Sequence, residues 1–325
     1  MDMKESVLPV LAIDLGGTKI LAAIVSGDGQ VLVRERCLTR AEEGVEAVIS
    51  RMFVAIEGVL ACGNIPLSQL GGVSVAAAGP IDMERGVITA SPNLPGWSDV
   101  PLRDIIRERF KTDTFLINDA KAAALGEHRY GAGRGVKNLI YLTVSTGIGG
   151  GIIINDKLYF GEKGSAGELG HMTIDMCGPP CSCGSTGCWE ALASGSAMAR
   201  EMVRRVQCGD RSITSEMVGG NLAEITAETV SRAAGCGDRV ALDVILKTAK
   251  YLGVGMANIV NIFNPEMIVV GGGVSKMGDL LLAPARRELH ERAFRVAAAA
   301  VRVVPALLGD ENGVLGAAAF AAGQK

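Results

Sequence analysis

At 325 residues the chain has the length of two domains, because a single hydrophobic core seldom keeps growing beyond this size. A formal net charge of −3, a pI of about 5.8 and the absence of any basic run exclude a typical nucleic-acid-binding surface. Apolar residues make up 48% of the sequence, but no apolar run approaches membrane-spanning length and no signal peptide is recognisable. We therefore expect a cytoplasmic protein that binds neither nucleic acid nor membranes.

The first half of the chain predicts alternating strands and helices. Val10–Glu35 predicts three strands joined by a Gly-Gly turn and a Gly-Asp-Gly turn. Apolar spacing predicts a helix over Gly44–Gly63, and "GGVSVAAAGPID" predicts a strand that ends in a Gly-Pro turn. A short helix over Pro101–Phe110 follows, and then a strand that enters a helix at Asn118 and Asp119.

A second three-stranded meander is predicted over Asn138–Gly161, with a glycine-rich turn and an Asn-Asp turn between its strands. It repeats the order of the first meander, and helical sequence follows each of them. The repeat predicts an internally duplicated α/β protein with a cleft between its halves. Two unrelated hairpins are the alternative, because glycine turns are the usual hairpin connection.

The C-terminal third predicts further strand–helix units. "PEMIVVGGGVSKMGDLLLAPARREL" predicts a buried strand that runs through three glycines into a helix, which begins or restarts near Pro284. The chain closes with a predicted strand, a turn and an alanine-rich helix. We expect residues 1–119 to form a small domain, completed by the C-terminal helix at about 311–325, and residues 120–310 to form a large domain.

Cysteines gather between His171 and Glu190, where Cys181, Cys183 and Cys188 have the spacing C-x-C-x4-C. Three thiolates and the imidazole of His171 would complete a tetrahedral zinc site with no open position, and Cys177 is a rival fourth ligand. Buried structural cysteines or a redox pair are the alternatives. The spacing favours a structural zinc that holds a loop.

Two glycine turns offer backbone amides to an anion. "DLGGTK" adds the hydroxyl of Thr18 and the cation of Lys19, and "STGIGGG" adds the hydroxyl of Thr146. Neither turn is a P-loop or a dinucleotide fingerprint. A facing pair of such turns predicts a polyphosphate site, with Asp14 placed to position Mg²⁺ through water. Lys19 as a solvated strand residue is the alternative.

Six motifs resemble those of the ROK family of sugar kinases and sugar-responsive repressors, in the family's order and over nearly the whole chain. They are "DLGGTK", "SPNLPGW", "NDAKAAALGE", "STGIGGG", "GELGH" and "CSCGSTGCWE", and the combination of the last two is highly specific. The resemblance implies duplicated actin-like, ribonuclease H-like domains. It also implies a zinc ion on His171, Cys181, Cys183 and Cys188, which leaves Cys177 out.

The resemblance further implies which residues bind the substrates. The residues implied for the sugar are Gly79, Asn93, Asn118, Asp119, Glu168, His171 and Glu190. Those implied for the phosphates are Asp14, Gly16, Gly17, Thr18, Lys19, Thr146, Gly147, Gly149 and Gly150, with Gly272 and Gly273 of "VVGGGVS" on the adenosine side.

The implied activity is transfer of the γ-phosphoryl group of Mg²⁺-bound ATP to the 6-hydroxyl of a hexose. "SPNLPGW" and "NDA" look most like the ATP-dependent glucokinases, and Asp119 is the implied general base. A helix N-cap is the alternative role for Asp119, since Asp is a favoured cap. A homodimer or a dimer-based oligomer is also expected.

Other functions stay open from the sequence. N-acetylglucosamine, N-acetylmannosamine, fructose, allose or mannose could replace glucose as acceptor, and polyphosphate could replace ATP. A sugar-sensing regulator is the alternative from another class. Because thirteen residues precede Asp14, too few for a helix-turn-helix domain, we expect the kinase.

Overall fold

The computed structural model describes residues 8–91 and 93–324. Its strands are β1 (Val10–Leu15), β2 (Lys19–Val25), β3 (Val31–Leu38), β4 (Val73–Ala77), β5 (Ile81–Asp82), β6 (Val87–Ala90), β7 (Ser98–Val100), β8 (Thr114–Asn118), β9 (Leu139–Val144), β10 (Ile148–Ile154), β11 (Lys157–Leu158), β12 (Met267–Gly271) and β13 (Arg302–Pro305). Its helices are α1 (Val45–Gly63), α2 (Leu102–Phe110), α3 (Asp119–Tyr130), α4 (Trp189–Ala193), α5 (Gly195–Gln207), α6 (Thr214–Met217), α7 (Ala227–Gly235), α8 (Arg239–Phe263), α9 (Asp279–Arg292), α10 (Arg295–Ala300) and α11 (Asn312–Ala322). Within these ranges, no helix combines the length and apolarity needed to cross a membrane.

Two five-stranded sheets share one strand order. The first runs β3-β2-β1-β4-β8 and the second β11-β10-β9-β12-β13. Each sheet begins with the three strands of a meander and is extended by two parallel strands. In the first sheet, β4 and β8 follow β1; in the second, β12 and β13 follow β9. The predicted internal duplication of an α/β fold is therefore confirmed. Strands β5, β6 and β7 form a smaller sheet.

Alternating side chains of β1 enter two separate cores. Leu11 and Ile13 pack with α1, where Met52 and Ile56 are fully buried. Ala12 faces the opposite side and packs with α11. Because successive residues of a strand point to opposite faces, a strand covered by helices on both sides has to be apolar throughout. Asp14 near the end of β1 breaks this rule, which marks it as a residue with another purpose.

The chain divides into two compact units. One comprises the described residues through Lys137, Gly151–Gly167 and those from Leu307 onward, and the other comprises Asn138–Gly150 and Glu168–Ala306. From the sequence we expect one domain over residues 1–119, completed by about 311–325, and a second over residues 120–310. These limits stay a prediction.

Within the first unit, α3 and α11 cross in direct backbone contact. A Cβ on Gly316 would lie 1.6 Å from the carbonyl oxygen of Ala122, so only glycine permits this approach. The buried carboxylate of Glu127, at the other end of α3, accepts the amides of Leu307 and Leu308 at 2.9 and 2.8 Å. These contacts fix the chain just ahead of α11.

Within the second unit, α8 and the buried strand β12 form much of the core. Every residue of β12 is buried, as the sequence predicts for "MIVVG". Helix α9 begins at Asp279 and runs through Pro284, so the prediction that a helix begins or restarts near this proline is wrong. Pro284 is only the sixth residue of α9, and the loss of one amide there is tolerated because packing against α8 stabilises the helix.

Candidate active site

The turn between β1 and β2 is closed by backbone hydrogen bonds and pressed against Asn93. The amide of Gly16 donates to the carbonyl of Lys19 at 3.0 Å, and the hydroxyl of Thr39 donates to the carbonyl of Gly16 at 2.6 Å. A Cβ on Gly17 would lie 2.6 Å from the carbonyl oxygen of Asn93. The structure thus brings together Asn93 and the "GGT" turn, and Asn93 follows Gly17 by 76 residues in the sequence.

The carboxyl group of Asp14 lies at the beginning of α11. A Cβ on Gly313 would lie 2.7 Å from its carboxyl carbon, so no larger residue fits there without displacing it. Burial, and next the negative charge of Asp119, raise the pKa of Asp14 from 3.8 to about 7; Lys19 lowers it and Asp310 raises it. Asp14 is therefore close enough to Asp119, Lys19 and Asp310 for their charges to affect it.

Lys19, the first residue of β2, is held in place by an ion pair. Its Nζ lies 2.8 Å from Oδ2 of Asp310, and its side chain is 27% exposed. Lys19 is therefore a partly exposed strand residue in an ion pair, and its role at the phosphates stays a prediction. Asp310 belongs to the 3₁₀ turn before α11, and no motif in the sequence pointed to it.

Asn118, not Asp119, caps helix α3. The Oδ1 of Asn118 accepts the amides of Ala120 and Lys121 at 3.1 and 3.2 Å, and its Nδ2 donates to the carbonyl of Gly79 at 3.2 Å. Asp119 is the first residue of the helix and accepts the amide of Ala120 at 2.8 Å. The N-cap interpretation of Asp119 is wrong, because the side chain of the preceding residue, Asn118, already caps the helix.

In the second unit, the turn between β9 and β10 is closed by one internal hydrogen bond and tied to two neighbouring residues. The amide of Ser145 donates to the carbonyl of Gly147 at 2.9 Å, and the amide of Gly195 donates to the carbonyl of Ser145 at 2.7 Å. Oε2 of Glu190 accepts the amide of Ile148 at 2.8 Å. Thr146 and Gly147 therefore lie in a fixed turn, and Gly149 and Gly150 continue it into β10.

The "VVGGGVS" turn after β12 lies beside the turn between β9 and β10. Gly272 has a φ of +90°, and a Cβ on it would lie 2.3 Å from the carbonyl oxygen of Val144. A Cβ on Gly273 would lie 3.7 Å from Oγ of Ser145. The structure brings together the two glycine turns that the resemblance assigns to phosphate and adenosine.

Four side chains of the second unit converge on one point. The nearest ligand atoms of His171, Cys181, Cys183 and Cys188 all lie within 4.8 Å of one another, and Cys177 is outside this group. Nδ1 of His171 lies 3.7 Å from Sγ of Cys181, and the Sγ atoms of Cys183 and Cys188 are also 3.7 Å apart. A tetrahedral zinc with Zn–S bonds of about 2.3 Å spaces its sulfurs about 3.8 Å apart, so the donor set fits zinc.

The chemistry of the thiols also suits a cation. Burial, with the neighbouring thiols of Cys181 and Cys183, raises the pKa of Cys188 to about 12. A hydrogen bond from the backbone of Ser185 is the first cause that lowers the pKa of Cys183. A metal ion binds the thiolate form of cysteine. Burial disfavours the thiolate of Cys188, and a bound metal ion would stabilise it.

Glu168 and Glu190 lie on the two sides of the cysteine-rich loop. The carbonyl of Glu168 accepts the amide of His171 at 3.1 Å, which closes a 3₁₀ turn over Leu169–His171. A Cβ on Gly170 in that turn would lie 2.1 Å from the carbonyl oxygen of Ile148, so the turn rests on the start of β10. Ile148 thus contacts both the turn after Glu168 and the carboxylate of Glu190.

The chain is similar to known proteins in both sequence and structure. A protein-family model described as the ROK family matches residues 10–324. A glucokinase of Thermotoga maritima is 36% identical over 313 residues, which are 96% of this chain and 97% of that protein. A xylose repressor of Caldicellulosiruptor bescii is 36% identical over 98% of this chain and 79% of its own length. The crystal structure of a ROK family glucokinase from Streptomyces griseus in complex with glucose and AMPPNP superposes with a TM-score of 0.83, at 34% identity over 96% of this chain and 98% of that one.

Proposed function

The chain belongs to the ROK family, and from this membership we propose that it is an ATP-dependent hexose kinase whose acceptor is the 6-hydroxyl of glucose. The proposal rests on the position of the Asp119 carboxylate. Its carboxylate stands at the start of α3, is not needed as a cap, and lies close enough to Asp14 to raise its pKa. A carboxylate close to the charges of Asp14 and Lys19, at the N-terminal end of a helix, suits a general base for phosphoryl transfer.

In the proposed reaction the 6-hydroxyl oxygen attacks the γ-phosphorus, the bond to the β-phosphate oxygen breaks, and ADP leaves. Asp119 takes the hydroxyl proton as the new O–P bond forms. The amides of the "GGT" turn and the ammonium of Lys19 neutralise phosphate charge. When bound, Mg²⁺ would supply positive charge that stabilises the phosphates, and Asp14 is the carboxylate that would hold it through water.

The sugar ligands follow the family assignment residue by residue. We propose that the sugar is bound by Gly79, Asn93, Asn118, Asp119, Glu168, His171 and Glu190. Glutamates suit vicinal hydroxyls, because one carboxylate accepts from two of them. The Nδ1 atom of His171 is the one near Cys181, so Nε2 is the nitrogen that would meet a sugar hydroxyl.

We propose that zinc binds His171, Cys181, Cys183 and Cys188. Four protein ligands leave no open position, so this metal would not act as a Lewis acid. Its role would be to hold the loop that ends at Cys188, immediately before Trp189 and Glu190. The expected homodimer and the cytoplasmic location stay predictions.

A coupled assay of ADP release tests this function with a panel of hexoses and N-acetylhexosamines. We expect glucose with ATP to give the highest kcat/KM, and polyphosphate to replace ATP poorly. Turnover of another sugar at a higher kcat/KM would keep the kinase and replace the substrate. Saturable sugar binding with no ADP release would instead support a sugar-sensing regulator, the function named for the xylose repressors among the relatives.

A further inference from the structure

We propose that Glu190 positions the phosphate turn of the second unit, in addition to binding the sugar. Its Oε2 accepts the amide of Ile148, the residue that follows the turn Ser145–Gly147, at 2.8 Å. A Cβ on Gly147 would lie 2.2 Å from the same oxygen, so the turn and the carboxylate are in direct contact. The proposal rests on the proposed function, since it makes one residue serve both substrates.

The hydrogen bond is of a kind that fixes backbone. Ile148 is buried, so its backbone amide is shielded from water. Without the carboxylate of Glu190 this amide would have no hydrogen-bond partner. A bond from an amide to a charged oxygen is also stronger than one between neutral groups. The conformation of the turn that presents Thr146 and Gly147 therefore depends on a side chain 42 residues further along the chain.

Glu190 is itself held firmly enough to act as a fixed support. The preceding residue, Trp189, is fully buried, and its indole N–H donates to the carbonyl of Tyr251 at 2.9 Å. A Cβ on Gly255 of α8 would lie 2.0 Å from the indole ring. Cys188, one residue earlier, belongs to the metal-binding group. Packing and the metal site thus restrain α4 from both directions.

The two oxygens of the carboxylate have separate tasks in this arrangement. Oε2 is occupied by the amide of Ile148, and within residues 8–91 and 93–324 no group donates to Oε1. Oε1 is therefore the oxygen that a sugar hydroxyl would meet. Removal of the carboxylate should weaken nucleotide binding even when no sugar is present, whereas loss of a residue that only binds sugar should not.

Calorimetric titration with Mg²⁺ and AMPPNP in the absence of sugar tests the proposal. We expect Glu190→Ala to weaken AMPPNP binding about tenfold, the effect of one unpaired buried amide. Glu190→Gln keeps an acceptor oxygen for Ile148 and should stay within about threefold of the parent. Glu168→Ala is the matched control, because the side chain of Glu168 is exposed and lies on the other side of the loop. All three variants should lose glucose affinity.

The outcomes separate the inference from the proposed function. If the parent protein binds neither glucose nor AMPPNP, the proposed function fails. If the parent binds both and Glu190→Ala binds AMPPNP as tightly as the parent, the positioning role is overturned. Zinc content and a thermal melt show whether Glu190→Ala keeps its fold. If it does not, Glu190→Met has similar volume and no acceptor oxygen, and the same loss of AMPPNP affinity is expected from it.

Discussion

The carboxyl carbon of Asp14 lies 2.7 Å from the place where a β-carbon on Gly313 would stand, so the first turn of α11 determines where this carboxylate points. We expect Gly313→Ala to turn the Asp14 side chain away from the "GGT" turn between β1 and β2. The kcat/KM for ATP should fall at least about tenfold, the effect expected when a positioning group is misplaced by about 1 Å. Steady-state kinetics measures it. Gly235→Ala, on a helix position with nothing within 4 Å, is the matched control and should leave the kinetics unchanged.

The raised pKa of Asp14 predicts a pH-dependent stability. The folded pKa of about 7 exceeds the unfolded value of 3.8, so the folded protein binds more protons than the unfolded one between these pH values. The stability that protonated Asp14 contributes is complete below about pH 4 and is lost as the pH rises through about 7. Urea unfolding of the nucleotide-free protein at several pH values should show this loss, and Asp14→Asn should remove that part of the slope. Parallel slopes for parent and variant would contradict the assignment.

Asp119→Asn should reduce kcat by about two to four orders of magnitude, because the amide cannot accept the hydroxyl proton. Stability should stay near that of the parent, since Asn118 caps α3. The matched control is Asn118→Ala, which should lower the free energy of unfolding by about 1 kcal/mol through loss of the cap. Turnover of Asp119→Asn within a few-fold of the parent would remove Asp119 from the mechanism.

Cys183→Ser should lose zinc, thermal stability and glucose affinity together. Cys183 is exposed, so the substitution itself leaves the apolar core undisturbed and any loss reports on the metal. Cys177→Ser, also at an exposed cysteine but outside the ligand group, should keep all three properties. Elemental analysis checks the expected ratio of about one zinc per chain, since a closed four-ligand site binds one ion. An active parent protein without zinc would sink this prediction.

The ion pair between Lys19 and Asp310 predicts opposite effects for its two members. Lys19→Met should weaken AMPPNP binding, because a cation beside the phosphates is lost. Asp310→Asn should strengthen it, because a negative charge is removed and Lys19 is released. Neither substitution should change the unfolding free energy by more than about 1 kcal/mol, the usual limit for an exposed pair. Weaker nucleotide binding by Asp310→Asn would show that Asp310 orients Lys19 instead of competing with phosphate.

The sequence predicts the parts of this protein that depend on neighbours along the chain. Apolar spacing places α1 and α2 to within one residue, since burial of one helix face needs only local information. The spacing of Cys181, Cys183 and Cys188 also predicts their convergence, because a short glycine-rich loop can fold in few ways around one ion.

Contacts between distant segments could not be predicted in the same way. The pairs Glu190–Ile148, Glu127–Leu307 and Lys19–Asp310 are separated by 42, 180 and 291 residues. No spacing rule covers such distances, and a glutamate or aspartate is usually a solvated surface residue. The N-cap residue of α3 could not be predicted for a different reason. Asn and Asp are about equally good caps, and Asn118 and Asp119 are adjacent in the sequence.

The contacts of Asp310 and Gly313 with residues at the first glycine turn have a consequence for biosynthesis. Asp14 and Lys19 leave the ribosome about 300 residues before Gly313 and Asp310, the residues that contact them. The amides of Leu307 and Leu308, which complete the hydrogen bonds of Glu127, also come late. A nascent chain can therefore form its N-terminal sheet well before Asp14 and Lys19 have these neighbours. A chain cut short before Leu307 would contain every strand of the first sheet but would lack the residues that contact Asp14 and Lys19.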